Sequence, residues 1–485
     1  MNLSSVRKIA WQEYLPLVLV MALAFYVAFI PHKSYPFPVH IDEWVHLAYI
    51  ESMLHAKSIT YADPFFGEKI MTLSSNLETG FHLFWATFHQ ISGISWLTIF
   101  RYFPGVILMI TVLSVYVLGR RQGFGWEAAF FAALIPTTVG ILGPALLVPV
   151  AMGLLFVPLA LFLAFNFKTI WSYLAIFVFV SFLLTMHAPS GICLVIVLIP
   201  YILINLKGNF KHSLGLILAV AVPFLIPFPW IFNLVLHTFK GLATPKPLAT
   251  YVDFPRLIAN YGYLTFILCL LGAMVLALRG GRKAFGLVLG LFLIVMVMAS
   301  FYSLHYGVPI LYERGLMFMI LMVGIVAGVG LMWVKNIRLP ERVGTWLKAP
   351  AVSRHIGKVL CLALVVLTLV FCLPERENEP LYHMIEAQDY ETFVWIEENV
   401  GDSYTKAIVN PWKATAFAAV TGKNVYTRIH GYSGPTDEEA YIFLENGCED
   451  TDFLRENGIS IVYSEWECDN PDLLEVRDNV YLLQE

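Results

Sequence analysis

From residue 91 to residue 312 the chain carries just two acidic side chains, Glu127 and Asp253. An isolated charge in hydrocarbon is costly, so long acid-free apolar stretches suit membrane spans. The rest of the composition agrees. Hydrophobic residues make up 58% of the 485, and the mean hydropathy is +0.70. A water-soluble fold of this length has no interior large enough for so much apolar surface. A spanning helix needs about 20 apolar residues. Eleven candidate runs are present, at approximately 12–30, 98–118, 127–142, 148–166, 170–186, 190–205, 213–236, 262–279, 284–302, 310–334 and 358–374. The first lacks a small-residue cleavage motif and reads as a signal anchor. The expected fold is a polytopic α-helical membrane protein.

The basic residues orient it. Arg7 and Lys8, Arg120 and Arg121, Lys168, Lys207 with Lys211, Arg279 with Arg282 and Lys283, and the run from Lys335 to Lys358 fall in alternate loops. By the positive-inside rule those loops are cytoplasmic. Eleven spans then place the N-terminus in the cytoplasm and the C-terminal segment outside. Outer segments follow at 31–97, at His187-Ala188-Pro189-Ser190, at 237–261 and from Ser303 to Arg314.

The acids sit on that outer side. Six lie within residues 31–90, namely Asp42, Glu43, Glu51, Asp63, Glu68 and Glu78. Residues 375–485 hold 24 acids against 7 Lys and Arg, a formal charge of 7 − 24 = −17. So acidic a segment argues against nucleic acid or anionic lipid surfaces as partners. Its period also changes. Strands are expected at 407–409, 424–426, 459–463 and 480–483, and helices at 389–399, 412–421, 437–446 and 450–457. Gly422, Gly447 and Gly458 stand at helix ends. The order predicts a small extracytoplasmic α/β domain at 375–485, separate from a membrane domain at 1–374. Cys448 and Cys468 lie in this polar segment, where an oxidising compartment permits a disulfide without requiring one. No cysteine spacing resembles a zinc site.

Chemistry is expected near the first outer loop, at His40-Ile41-Asp42-Glu43-Trp44-Val45-His46. A carboxylate beside the membrane can act as general base on an acceptor hydroxyl, or bind a cation that grips a phosphate. The alternative is that Asp42 caps a helix starting at Glu43. Amphipathic residues follow at Phe81, Leu83, Phe84, Trp85 and Phe88, with His82 and His89 among them; such helices lie on a membrane surface or pack over a bundle. Near the fourth outer segment come His305, Tyr312, Glu313 and Arg314. Arginine at an interface can hold a phosphate by two parallel hydrogen bonds, or snorkel, or pair with the neighbouring Glu313.

In their order these features resemble the GT-C superfamily of integral membrane glycosyltransferases. The resemblance covers the whole chain in layout. It rests on Asp42-Glu43 in a long first outer loop, Phe81-His82-Leu83-Phe84 before Ile91-Ser92-Gly93-Ile94-Ser95, His187-Ala188-Pro189, Glu313-Arg314-Gly315 running to Gly324 and Gly330, and Val394 to Asn399 followed by Pro411-Trp412. The family uses polyprenyl-phosphate-linked sugars and acts on the outer face. The resemblance implies Asp42 as general base with Glu43 beside it as the catalytic pair. It implies Arg314 on the departing lipid phosphate, assisted by His187 or His305. From the residues themselves, Lys240, Lys246 and Arg256 are third-loop cations able to face a phosphate, and His46, Tyr312 and Glu313 are further candidate substrate-binding residues. The partners implied are a polyprenyl-phosphate-linked sugar, a lipid, glycan or protein acceptor, and membrane lipids. A divalent cation, Mg or Mn, is the candidate cofactor. Two departures stand out. The Trp-Trp-Asp motif by which oligosaccharyltransferases recognise an acceptor is absent, which weighs against peptide N-glycosylation. The second outer loop, Gly143-Pro144-Ala145, has no acid where some relatives place a metal ligand, which leaves Glu78 or Glu313 as the candidate substitute. The rival reading is a transporter or flippase of lipid-linked sugars, which should carry charges midway along its spans or paired repeats.

Overall fold

The computed structural model describes residues 3–138, 140–226, 254–305, 307–338, 350–377, 383–429 and 433–484. In chain order the helices of the first part are α1 (Leu3–Phe29), α2 (Ile41–Ala56), α3 (Thr79–Ser92), α4 (Trp96–Gln122), α5 (Gly125–Ala133), α6 (Pro149–Gly153) and α7 (Phe156–Asn166). There follow α8 (Ile170–Met186), α9 (Ala188–Leu206), α10 (Phe210–Leu225), α11 (Phe254–Tyr261), α12 (Tyr263–Arg279), α13 (Arg282–Leu304), α14 (Pro309–Lys335) and α15 (Pro350–Glu377). Two short strands, β1 (Tyr61–Ala62) and β2 (Ile70–Met71), form an antiparallel pair between α2 and α3. The C-terminal segment adds α16 (Ala387–Asn399), β3 (Lys406–Ile408), α17 (Ala414–Thr421), β4 (Asn424–Val425), α18 (Pro435–Glu445), α19 (Thr451–Glu456), β5 (Ile461–Tyr463), β6 (Leu473–Arg477) and β7 (Val480–Leu483).

The chain divides into two compact units. One comprises Met1–Lys33 with Tyr102–Pro380, the other Ser34–Arg101 with Leu381–Glu485. The boundary expected near residue 374 placed the first outer loop with the spans. In the structure that loop folds with the C-terminal segment.

The first unit is helical. Among the described residues seven helices are long and apolar enough to cross a membrane, or eight if α11 and α12, bent by 90°, form one span; α8 and α10 are shorter. The expected eleven is not reached by this measure. The helix expected over 127–142 stops at Ala133, ahead of Pro136, whose missing N–H cannot continue the ladder. Arg376 of α15 donates instead to the carbonyls of Leu134 and of Ile135, the latter at 2.7 Å. The run expected over 213–236 extends beyond the described residues.

Helix α14 forms the core of this unit, with every residue from Gly315 to Leu331 buried. Its glycines explain how. A Cβ on Gly330 would stand 2.1 Å from the Leu268 carbonyl oxygen, and one on Gly272 of α12 would stand 2.0 Å from that of Val326. The two backbones therefore touch, the small-residue packing that suits helices in lipid. Glu127, the one acid described between residues 91 and 252, bonds to Lys335 at the far end of α14. Lys335 also lies 5.1 Å from the Trp126 ring. The carboxylate is thus buried with its charge matched.

The second unit is built on a five-stranded sheet in the order β4-β3-β5-β7-β6. β3 pairs in parallel with β4 and β5, while β7 runs antiparallel to β5 and β6. Four of the five strands of this sheet and the four helices of the C-terminal segment lie where the sequence predicts them. The missed strand, β6, is an edge strand with Glu475 and Arg477 in it, so it lacks an apolar run. Its core gathers Ile408, Ala440, Leu444, Leu454 and Val462. Asp389, at the start of α16, is buried; its carboxylate accepts from Lys413 at 2.7 Å and from the Tyr463 hydroxyl at 2.5 Å. That network pins α16 to the sheet. The first outer loop joins this unit through specific bonds. The Tyr35 hydroxyl donates to the Ile385 carbonyl at 2.9 Å, and Tyr35 stacks on His383 with centroids 4.0 Å apart. The Val425 N–H donates to the Phe65 carbonyl at 2.7 Å.

Cys448 and Cys468 form a disulfide across a sequence separation of 20. A loop of that size loses about 3 kcal/mol of unfolded-state freedom on cross-linking. Reducing agent, or Cys448→Ser with Cys468→Ser, should lower the stability of this unit by about that amount. Thermal melting of the full chain followed by circular dichroism would show it, and an unchanged transition would count against the contribution.

Candidate active site

Helix α2 opens on the Asp-Glu pair, but neither acid caps it. The N-cap is His40, whose Nδ1 accepts the Asp42 N–H at 3.1 Å. Because that nitrogen accepts, it carries no proton. The 3.8 Å approach of His40 Nδ1 to Asp42 Oδ1 is therefore not a charged pair. Glu43 is buried, and its Oε2 accepts the Val39 N–H at 2.8 Å. Glu43 thus fixes the chain entering the helix. Asp42 remains partly exposed, with 18% of its side-chain surface accessible. Both carboxylates also favour the positive N-terminal end of the helix.

Asp42 and His46 are four residues apart on α2, so they share one helix face. Glu78 and His82 repeat that spacing where α3 begins. The two helices pack so that these pairs meet. His46 Nδ1 lies 3.0 Å from His82 Nε2 and 3.9 Å from Glu78 Oε2. His82 is wholly buried, and Asn76 Nδ2 stands 3.1 Å from its Nδ1. The same amide donates to the Tyr61 hydroxyl at 2.8 Å and accepts the Glu78 N–H at 3.0 Å through its oxygen. Burial, with His46 next to it, holds His82 well below the ordinary imidazole range. The three donor atoms of His46, Glu78 and His82 all lie within 4.8 Å of one another. Two imidazoles and a carboxylate are a donor set that fits a divalent metal ion.

The C-terminal segment contributes Arg428 to this unit. Its guanidinium lies 3.8 Å from the centroid of the Phe65 ring. Burial lowers its pKa, while Tyr49, Asp63 and Asp42 act in the opposite direction. Arg428 therefore sits in the electrostatic field of Asp42. Asp63 is itself ordered, its Oδ1 accepting the Phe65 N–H at 2.9 Å. Burial, with Asp63 in its field, raises the pKa of Tyr49.

A cleft of about 390 Å³ also opens in this unit, lined by Trp44, Glu51, His55, Asp63, Trp96 and Glu397 among others. Trp44, Leu47, Glu51 and His55 line the face of α2 opposite to Asp42 and His46, by the 100° step of the helix. The cleft is therefore not the place where the Asp42 stripe looks out.

The other predicted residues belong to the helical unit. His187 is buried at the turn from α8 to α9, with Nδ1 2.6 Å from the Ser190 hydroxyl. His305 ends α13 in the left-handed region at φ 56°. Tyr312 is fully buried on α14 and stacks on Tyr302 with centroids 6.5 Å apart. Glu313 and Arg314 follow it, each half-buried. Arg256 is exposed on α11. Lys240 and Lys246 lie outside the described residues. Thus Asp42, Glu43 and His46 fall in one unit, and His187, Arg256, His305, Tyr312, Glu313 and Arg314 in the other. Of Glu78, His82, Asn76 and Arg428, the sequence reading offered only Glu78, as a substitute metal ligand. An acid followed four residues later by histidine occurs at Asp42 and at Glu78, but also at Glu51 with His55 and at Glu379 with His383, so the spacing by itself did not single these residues out.

Comparison with solved structures identifies the architecture. The chain superposes on the apo oligosaccharyltransferase of Archaeoglobus fulgidus with a TM-score of 0.68 at 11% identity, over 93% of this chain and 69% of that one. The same archaeal enzyme, AglB, in complex with an inhibitory peptide and a dolichol-phosphate, gives 0.64 at 12% identity over 93% and 69%. ArnT from Cupriavidus metallidurans bound to undecaprenyl phosphate gives 0.59 at 12% identity, over 97% of both chains. No family model matches the sequence, and no curated protein does either. At these identities the likeness is one of fold alone, and that fold is the many-helix membrane architecture expected from the sequence.

Proposed function

We propose that this chain is a membrane glycosyltransferase that moves a sugar from a polyprenyl-phosphate donor to an acceptor at the extracytoplasmic face. The observation that carries the reading is Asp42, a part-exposed carboxylate at the start of α2, on a fold whose solved examples hold dolichol-phosphate and undecaprenyl phosphate. Asp42 takes the proton from the acceptor hydroxyl or amine as that atom attacks the anomeric carbon. The lipid phosphate leaves, and a single displacement inverts the sugar. Arg314 meets the developing phosphate charge, since fixed charges aimed at a leaving group are a large catalytic effect. Glu43 serves by ordering the helix entrance through Val39. The Cys448–Cys468 disulfide supports an oxidising compartment for the second unit. That agrees with the basic loops, which favour a cytoplasmic N-terminus.

The acceptor is a lipid, glycan or protein. Absence of the Trp-Trp-Asp motif and the end-to-end match with ArnT, against 69% of AglB, favour an acceptor other than a sequon peptide. A flippase is the rival. The one acid described in the long apolar stretch, Glu127, is matched by Lys335 and offers no charged path.

The test is direct. Purified protein is given a tagged polyprenyl-phosphate sugar and candidate lipid, glycan and peptide acceptors, and the product's anomeric configuration is read by nuclear magnetic resonance. The expected product has the configuration opposite to that of the donor. Donor crossing reconstituted vesicles with no transferred sugar would instead establish the flippase.

A further inference from the structure

We infer that His46, Glu78 and His82 form a binding site for one zinc-class divalent ion, a turn of helix away from Asp42. The inference rests on the glycosyltransferase reading only for what the ion would serve; the site itself stands on geometry. Tetrahedral ligands with bonds of about 2.0–2.1 Å lie about 3.4 Å apart. The separations here, 3.0 Å between the two imidazole nitrogens and 3.9 Å from His46 Nδ1 to Glu78 Oε2, bracket that value. The donors come from two packed helices, with the buried Phe81 ring of α3 lying 5.0 Å from the His46 ring of α2 between centroids. His82 and His46 are buried, while a third of the Glu78 side chain is exposed.

Chemistry selects the ion. Two neutral imidazoles and one carboxylate suit Zn²⁺ or Co²⁺, whereas Mg²⁺ prefers an all-oxygen octahedron. This choice departs from the Mg or Mn expected from the family resemblance.

Loading the site has a definite proton consequence. With Asn76 Nδ2 facing His82 Nδ1, that nitrogen accepts, and the ring proton sits on Nε2, aimed at His46 Nδ1. To ligate through Nε2, His82 gives up that proton and takes one on Nδ1. The Asn76 amide must then turn its oxygen toward His82 Nδ1–H. An aspartate at position 76 presents an oxygen without turning, and carboxylate partners of this kind strengthen histidine–metal bonds.

The experiment uses the full-length protein in detergent, stripped with chelator and dialysed against micromolar Zn²⁺, Co²⁺ or Mg²⁺. Metal content is measured by mass spectrometry, and Co²⁺ by its visible ligand-field spectrum. One Zn²⁺ or Co²⁺ per chain is expected, with Mg²⁺ not retained. Glu78→Gln, at a part-exposed position that should fold normally, is expected to weaken Zn²⁺ binding 10- to 100-fold, and His46→Gln with His82→Gln to abolish it. Asn76→Asp is expected to tighten it 10- to 100-fold. No stoichiometric retention, or retention unchanged by Glu78→Gln and by the double histidine variant, overturns the site. Asp42→Asn should bind the ion as the parent does. Metal retained by a chain that transfers no sugar would keep the site and sink the transferase reading; transfer by a chain that retains no metal would do the reverse.

Discussion

Asp42→Asn should abolish sugar transfer, with turnover falling by about 10²–10⁴-fold, the usual contribution of a positioned general base. The substitution keeps the shape of the side chain and removes its ability to take a proton. It should leave the fold intact, because the helix cap is His40 and the entering chain is held by Glu43. Initial rates with saturating donor and acceptor are the measurement, with the melting curve as the control. Asp42→Glu should recover part of the rate if the carboxylate can still reach the acceptor. Transfer at the parental rate by Asp42→Asn would sink the assignment of the base. A fall in rate matched by a fall in melting temperature would point to a structural role instead.

Arg314→Ala should raise the donor KM and weaken inhibition by free polyprenyl phosphate, each about 10- to 100-fold. A hydrogen bond to a charged group contributes about 1.5–3 kcal/mol, and a guanidinium reaches a phosphate through two of them. Arg314→Lys keeps the charge and loses the paired geometry, so it should fall between. Because Arg314 lies in the second turn of α14 and the residues that follow it are buried as far as Leu331, melting must be followed alongside. The result that would overturn the role is a donor KM and a product inhibition constant both unchanged in Arg314→Ala.

How much of this could be read from the residues depends on how local each signal is. Spans such as 190–205 and 284–302 appear as α9 and α13 within two residues, since apolar run length is a property of the segment alone. The span expected at 127–142 fails at Pro136, where the hydropathy is right and the backbone is not. The C-terminal strands and helices were legible for the same reason as the spans, period and glycine stops. β6 was not, because its pairing with β7 rather than its own composition makes it a strand.

The site divides in the same way. Asp42 stands out by its place in a loop after the first span. Glu43 looks like its partner in sequence and turns out to bond a backbone N–H four residues earlier. His82 and Glu78 join His46 across 36 and 32 positions, and Arg428 comes to Phe65 from the far end of the chain.

Acid-free apolar runs and alternating loop charge are local and additive, so a polytopic membrane chain with an acidic α/β segment was legible from the residues alone. The folding of the first outer loop with that segment, and the meeting of His46 with Glu78 and His82, emerge in three dimensions. Contacts of that kind depend on how helix faces pack over long separations, and such packing leaves no period in the sequence to read.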